Sequence, residues 1–214
     1  MRGRAALALP TRIPASRFKD FIDTPADVAE QLRRPMPQRP YRATRLGTLF
    51  HSWVEQRSGA AASGDVIDAG MFELEQQDTD SFGGEGAEAE QFATLRATFE
   101  ASPWADLAPE DVEVEIHLVL DEQVFICKLD AVYRTERGYQ IVDWKTGKAP
   151  KDAADLALKQ TQLALYRLAY ARWKGVPAEL IDAVFYFVAD DTVIAPDHLA
   201  DEAELLALWA TVTD

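Results

Sequence analysis

The sequence predicts an α/β (α+β) fold in which a central mixed sheet, built around an antiparallel three-strand meander, is flanked by helices. Three observations point there. From Asp111 the hydrophobic period changes from helical to alternating and gives strand segments at about 111–120, 123–133 and 139–145. Asp121-Glu122 and Thr135-Glu136-Arg137-Gly138 separate these segments with short turns, so each neighbouring pair runs antiparallel. Residues 153–174 then carry apolar side chains at helical spacing, stop at Gly175 and Pro177, and lead into an apolar run, Ile181-Asp182-Ala183-Val184-Phe185-Tyr186-Phe187-Val188-Ala189, that reads as a buried strand over 181–189. With a closing helix at about 197–211, the core order is α-β-β-β-α-β.

Upstream, Ser16 is suited to cap a helix over 16–34, which ends before the breaker cluster Pro35, Pro37 and Pro40. A second helix over about 44–57 places Leu46, Phe50, Trp53 and Val54 on its buried side. The acidic stretch 59–90 reads as a loosely ordered insertion, followed by a helix near 86–101. The whole of 1–214 is then one domain: a helical part over 1–57, the insertion over 59–90 and a core over 111–190.

Composition narrows the chemistry. With 48% hydrophobic and 10% aromatic residues the chain can bury a substantial core. It has no apolar run of about 18 residues, and its opening segment is too short in its apolar part for a secretory signal; a cytoplasmic protein without a membrane partner is expected. The single cysteine, Cys127, excludes an internal disulfide framework, a self-contained zinc ribbon and a four-cysteine iron–sulfur cluster. Any metal must rest on oxygen and imidazole ligands. No Gly-rich loop ends in Gly-Lys-Ser/Thr, so the chain has no ATP site of that kind. The net charge of −14 opposes a phosphate-rich partner, but its distribution does not. Residues 1–57 hold eleven Arg and Lys against five Asp and Glu, and residues 128–174 hold ten against five. Acidic charge is concentrated elsewhere, and no Lys or Arg follows Lys174.

The chemistry-bearing residues fall mainly in those basic segments. In Val142-Asp143-Trp144-Lys145, Asp143 and Lys145 are two apart on a strand and share one face, while Val142 and Trp144 take the other. Asp130 sits inside the apolar run Phe125–Tyr133, where a carboxylate costs free energy unless paired or metal-bound. Asp143 follows thirteen residues later across a short hairpin, near enough to share a cation with it. Two converging carboxylates repel, and a hard divalent cation relieves that repulsion. Any one of these residues alone would read as a surface ion pair or a solvated edge; the combination is what selects a site.

Lys128-Leu129-Asp130-Ala131-Val132-Tyr133, then Ile141-Val142-Asp143-Trp144-Lys145-Thr146-Gly147, then Gln162-Leu163-Ala164-Leu165-Tyr166 resembles the motif series of RecB-like PD-(D/E)XK nucleases, and Gly47-Thr48-Leu49-Phe50-His51 resembles their Gly-x-x-x-His motif. The lead-in Arg33-Arg34-Pro35-Met36-Pro37-Gln38-Arg39-Pro40 and the Asp-Trp-Lys variant look most similar to the C-terminal nuclease domains of AdnAB/AddAB-type helicase–nucleases. This resemblance implies a restriction-endonuclease-like core and metal-dependent cutting of DNA, with single-stranded ends as substrate and a helicase motor or partner helicase–nuclease subunit supplying movement. It implies that His51, Asp130 and Asp143 ligate Mg²⁺ or Mn²⁺, with a backbone carbonyl beside Lys145 completing the coordination. Lys145 would orient water or stabilise phosphate charge. Glu113 matches the acidic residue of the first strand, with Glu115 as the competing assignment. Gln162 and Tyr166, four apart on one helical face, would brace the site or touch the strand. One departure is Cys127, where the pattern has glycine. A degenerate nuclease fold serving as a DNA-binding scaffold is the alternative, and a divalent-cation titration discriminates the two.

Overall fold

A computed structural model of the protein describes residues 9–33, 42–59, 85–150 and 152–213. The proline cluster and most of the acidic insertion expected over 59–90 lie outside the described residues. Six strands form one mixed sheet: β1 (Arg12–Pro14), β2 (Asp111–Leu120), β3 (Gln123–Thr135), β4 (Gly138–Lys145), β5 (Ile181–Phe187) and β6 (Thr192–Ile194). Among the described residues six helices accompany it: α1 (Phe18–Asp23), α2 (Pro25–Arg33), α3 (Arg42–Arg57), α4 (Glu85–Glu100), α5 (Ala153–Lys174) and α6 (Glu202–Thr213).

The expected meander is present. β2 pairs antiparallel with β3 and β3 with β4, and α5 then crosses over so that β5 lies parallel to β4. Asp152 caps α5 by accepting from the Ala154 N–H at 2.7 Å, and Gly175 ends it in the left-handed conformation that glycine adopts without steric cost. One sheet face packs on α5, α1 and α6 through Phe18, Phe125, Leu129, Ile141, Phe185 and Trp209. The other face packs on α3 and α4 through Phe50, Val54, Leu95 and Phe99 around Trp144.

Three boundaries differ from expectation. The helix expected over 16–34 begins with a 3₁₀ turn over Ala15–Arg17 and divides at Thr24, because Pro25 takes the first-turn position where its missing N–H costs nothing and so starts α2. The strand expected over 181–189 ends at Phe187; Val188–Asp190 close into a 3₁₀ turn and Asp191 is left-handed. The last helix starts at Glu202 rather than near 197, because Asp201 and Glu204 cap it reciprocally: each side chain accepts from the other's backbone N–H, at 2.9 and 2.8 Å. The short β1 and β6 were not foreseen.

The topology leaves a gap in the sheet. On the edge of β3 away from β2, β1 pairs with Val124–Ile126 and β4 pairs with Ala131–Thr135, so among the described residues no strand is paired to residues 127–130 there. The β3–β4 ladder stops at Ala131↔Val142, and the carboxylate of Asp130 takes over, accepting the Trp144 N–H at 2.8 Å.

Candidate metal centre and catalytic site

At the fork where β3 and β4 part, His51 of α3 approaches Asp130 and Gln162 of α5 approaches Asp143. Up to Leu129 the odd-numbered residues of β3 face α5, whereas beyond Asp130 it is Val132 that joins the α5 core while Ala131 and Tyr133 join the α3/α4 core. Facing sides therefore exchange at Asp130. The partner strand β2 exchanges its sides at the same level: Val114, Ile116 and Leu118 pack on the α5 core, Asp111 accepts from the Tyr170 hydroxyl of α5, and Glu113 between them is left-handed at φ 49°. A non-glycine residue in that region is uncommon and marks a position fixed by its surroundings.

On the α3 side, His51 Nδ1 lies 3.4 Å from Asp130 Oδ1 and 3.8 Å from Glu113 Oε1. One ligand atom from each of His51, Glu113 and Asp130 falls within 4.8 Å of the other two, and all three side chains are half-buried. This set is an imidazole and two carboxylates, a donor combination suited to a hard or borderline divalent cation. On the other side of Glu113, Oε2 is 2.9 Å from Lys128 Nζ.

On the α5 side, Asp143 is 2% exposed. Its Oδ2 lies 2.9 Å from Lys145 Nζ, and its Oδ1 accepts from Gln162 Nε2 at 3.2 Å. Gln162 also donates to the Tyr166 hydroxyl at 2.8 Å, so the residues four apart on α5 form a buried brace under Asp143. The Lys145 ammonium also lies over the Phe185 ring, 5.6 Å from its centroid.

Electrostatics tie the two sides together. Burial raises the Asp143 carboxyl, Lys145 pulls it down and Asp130 pushes it up again; the balance is a raised value of about 7. Burial pushes Asp130 upward too, but His51, Lys145 and the Trp144 N–H outweigh it and hold that carboxyl below its ordinary value. Burial and the charges of Asp143 and Asp130 push the Tyr166 hydroxyl well up, so it stays protonated. Two acids that resist simultaneous ionisation beside a half-buried imidazole fit a divalent cation, whose charge would remove the conflict.

The structure thus brings His51, Glu113 and Asp130 into one group. It places Asp143, Lys145, Gln162 and Tyr166 in a second, adjoining group, and Asp143 is not among the three within 4.8 Å. Glu115 points elsewhere: it is exposed and pairs with His117 at 2.8 Å. Cys127 is fully buried on the α5 face, its thiol raised by burial and donating weakly to the Leu165 carbonyl at 3.9 Å. The sulfur fills core space three residues from Asp130. Lys128, ion-paired to Glu113, was not singled out in the sequence; the available signal was its position two before Asp130 on a strand.

Among described residues no helix is long and apolar enough to cross a membrane. No curated protein matches the chain significantly. A solved structure titled "Crystal structure of SSO0001" is 15% identical, covers 91% of this chain and 82% of that one, and superposes with a TM-score of 0.36. The family model for the PD-(D/E)XK nuclease superfamily matches residues 15–212, a span that contains the fork, its acids, its imidazole and its lysines, and the chain belongs to that superfamily.

Proposed function

We propose that the protein is a Mg²⁺- or Mn²⁺-dependent deoxyribonuclease that hydrolyses phosphodiester bonds. The observation that carries this reading is the meeting of His51, Glu113 and Asp130 within 4.8 Å, beside the Asp143–Lys145 pair. We assign His51, Asp130 and Asp143 to the cation, with Glu113 at the same place. When bound there, a divalent cation supplies Lewis acidity toward a phosphate oxygen and lowers the pKa of water.

The chain's own groups do the remaining work. Asp143 and the Phe185 ring hold the Lys145 ammonium at the mouth of the fork, where it can donate to a phosphate oxygen and offset developing negative charge. Gln162, fixed by Tyr166, keeps Asp143 from rotating away. Asp130 is held by the Trp144 N–H, so its second oxygen stays aimed at His51. Because Lys145 is anchored to an acid, it acts as a charge stabiliser and orienting group rather than as the nucleophile.

The motif series and the basic segments 1–57 and 128–174 support a place as the nuclease domain of a helicase–nuclease that resects DNA ends in double-strand break repair, with single-stranded ends as substrate and the motor in other polypeptide. The test is incubation of end-labelled single- and double-stranded DNA with Mg²⁺, Mn²⁺ or EDTA. Cutting with either metal and none in EDTA is expected. Undiminished cutting by an Asp143→Ala protein, or no cutting under any metal, would overturn the reading.

A further inference from the structure

We propose that Lys128 is a displaceable counter-cation of the metal centre: it sits on Glu113 when the site holds no divalent ion, and it passes to a phosphate of the bound strand when one enters. The inference rests on the metal-dependent reading above.

In this structure each acid at the fork has its own donor. Asp143 has Lys145 at 2.9 Å, Asp130 has the Trp144 N–H at 2.8 Å, and Glu113 has Lys128 at 2.9 Å. The two lysines differ in how they are held. Lys145 is 22% exposed, lies over the Phe185 ring and is paired to a buried acid. Lys128 is 35% exposed and is paired to Glu113, a half-buried acid of the three-residue group. Cys127 and Leu129 face the α5 core, so Lys128 projects to the α3 side, where His51 and the acid Glu55 also lie. An ammonium and a divalent cation on one carboxylate repel each other, and of the two lysines Lys128, more exposed and without a ring beneath it among the described residues, is the one that yields. The long side chain can leave without moving β3. Once released it remains beside the cation, where a DNA phosphate would lie, and an ammonium there favours the strand. By linkage, the same side chain weakens metal binding in the absence of DNA and strengthens DNA binding in the presence of metal.

The test titrates Mn²⁺ into the DNA-free protein by calorimetry, for wild type, Lys128→Met and Lys128→Arg, with thermal melts in EDTA to confirm that each variant folds. Removing the charge should tighten Mn²⁺ binding about tenfold, and Lys128→Arg should bind as wild type does. At saturating Mn²⁺, Lys128→Met should raise the KM for a single-stranded oligonucleotide about fivefold and leave kcat within about twofold. Equal or weaker Mn²⁺ binding by Lys128→Met overturns the proposal, as does an unchanged KM. Wild-type protein that binds no Mn²⁺ overturns the metal-dependent reading itself, a result distinguishable from failure of the Lys128 proposal alone.

Discussion

The two ends of the β3–β4 hairpin are built from the same strands and do opposite things. At the closed end, Ala131 to Thr135 pair in unbroken register with Gly138 to Val142, and Ala131, Tyr133 and Val142 join the buried layer that holds Phe99, Trp104 and Tyr186. At the open end the ladder stops, a carboxylate replaces a backbone acceptor, and charged groups from four elements crowd together. Stability is concentrated where every backbone group has its ladder partner and the side chains are apolar. The candidate site begins at the next residues along both strands, where the ladder stops, His51 of α3 approaches Asp130 and Gln162 of α5 holds Asp143.

Substitutions at the two ends should therefore separate activity from stability. The largest effect belongs to the open end: Asp130→Ala or Lys145→Ala should lower the cleavage rate by about 10³-fold, measured on labelled oligonucleotide, while the melting temperature stays within a few degrees of wild type. Next comes Trp144→Ala, one residue along β4 but on the opposite face. It removes a ring in contact with Phe99, Trp104, Tyr133 and Tyr186 and should cost roughly 3–5 kcal/mol in urea denaturation. Gly138→Ala at the closed turn should cost roughly 2–3 kcal/mol, because Gly138 has φ 149° and an added Cβ would run into the Leu180 backbone carbonyl.

The smallest effect is a pH dependence. A carboxyl raised to about 7 in the fold, against 3.8 as its ordinary value, favours the protonated form when folded. Its contribution to stability is full below about pH 4 and is lost as pH rises toward about 7. Asp130, lowered in the fold, runs the other way, and its contribution is lost only in acid. In EDTA, Asp143→Asn should therefore gain stability over wild type by roughly 1–3 kcal/mol between pH 5 and pH 8, measured by denaturant titration at both values. A gap that stays constant with pH would place the strain elsewhere.

How far the sequence carried this picture follows the same division. The meander, α5 and β5 were legible because alternation and helical spacing report burial directly, and the turns at 121–122 and 135–138 each set one antiparallel pair, β2 with β3 and β3 with β4. His51, Gln162 and Tyr166 were legible only through motif resemblance; nothing in the period of α3 separates His51 from a core histidine. Glu113 and Glu115 could not be separated, since strict alternation puts both on one face. The left-handed backbone at Glu113 breaks that alternation, and an ordinary Val-Glu-Val-Glu run carries no sign of it. Alternation already puts Lys128 on the face of Asp130, but its pairing with Glu113 was not legible for the same reason. Three-residue strands such as β1 and β6 fall below the length at which a period can be read, yet β1 is what limits the gap on the edge of β3.

The most direct measurement is the electron paramagnetic resonance signal of Mn²⁺ titrated into wild-type protein and into Asp130→Asn. Wild type should remove free Mn²⁺ saturably, and the variant, with the carboxylate common to both halves of the fork neutralised, should lose that binding by about tenfold or more. Binding of Mn²⁺ by Asp130→Asn with wild-type affinity would contradict a metal centre at the fork.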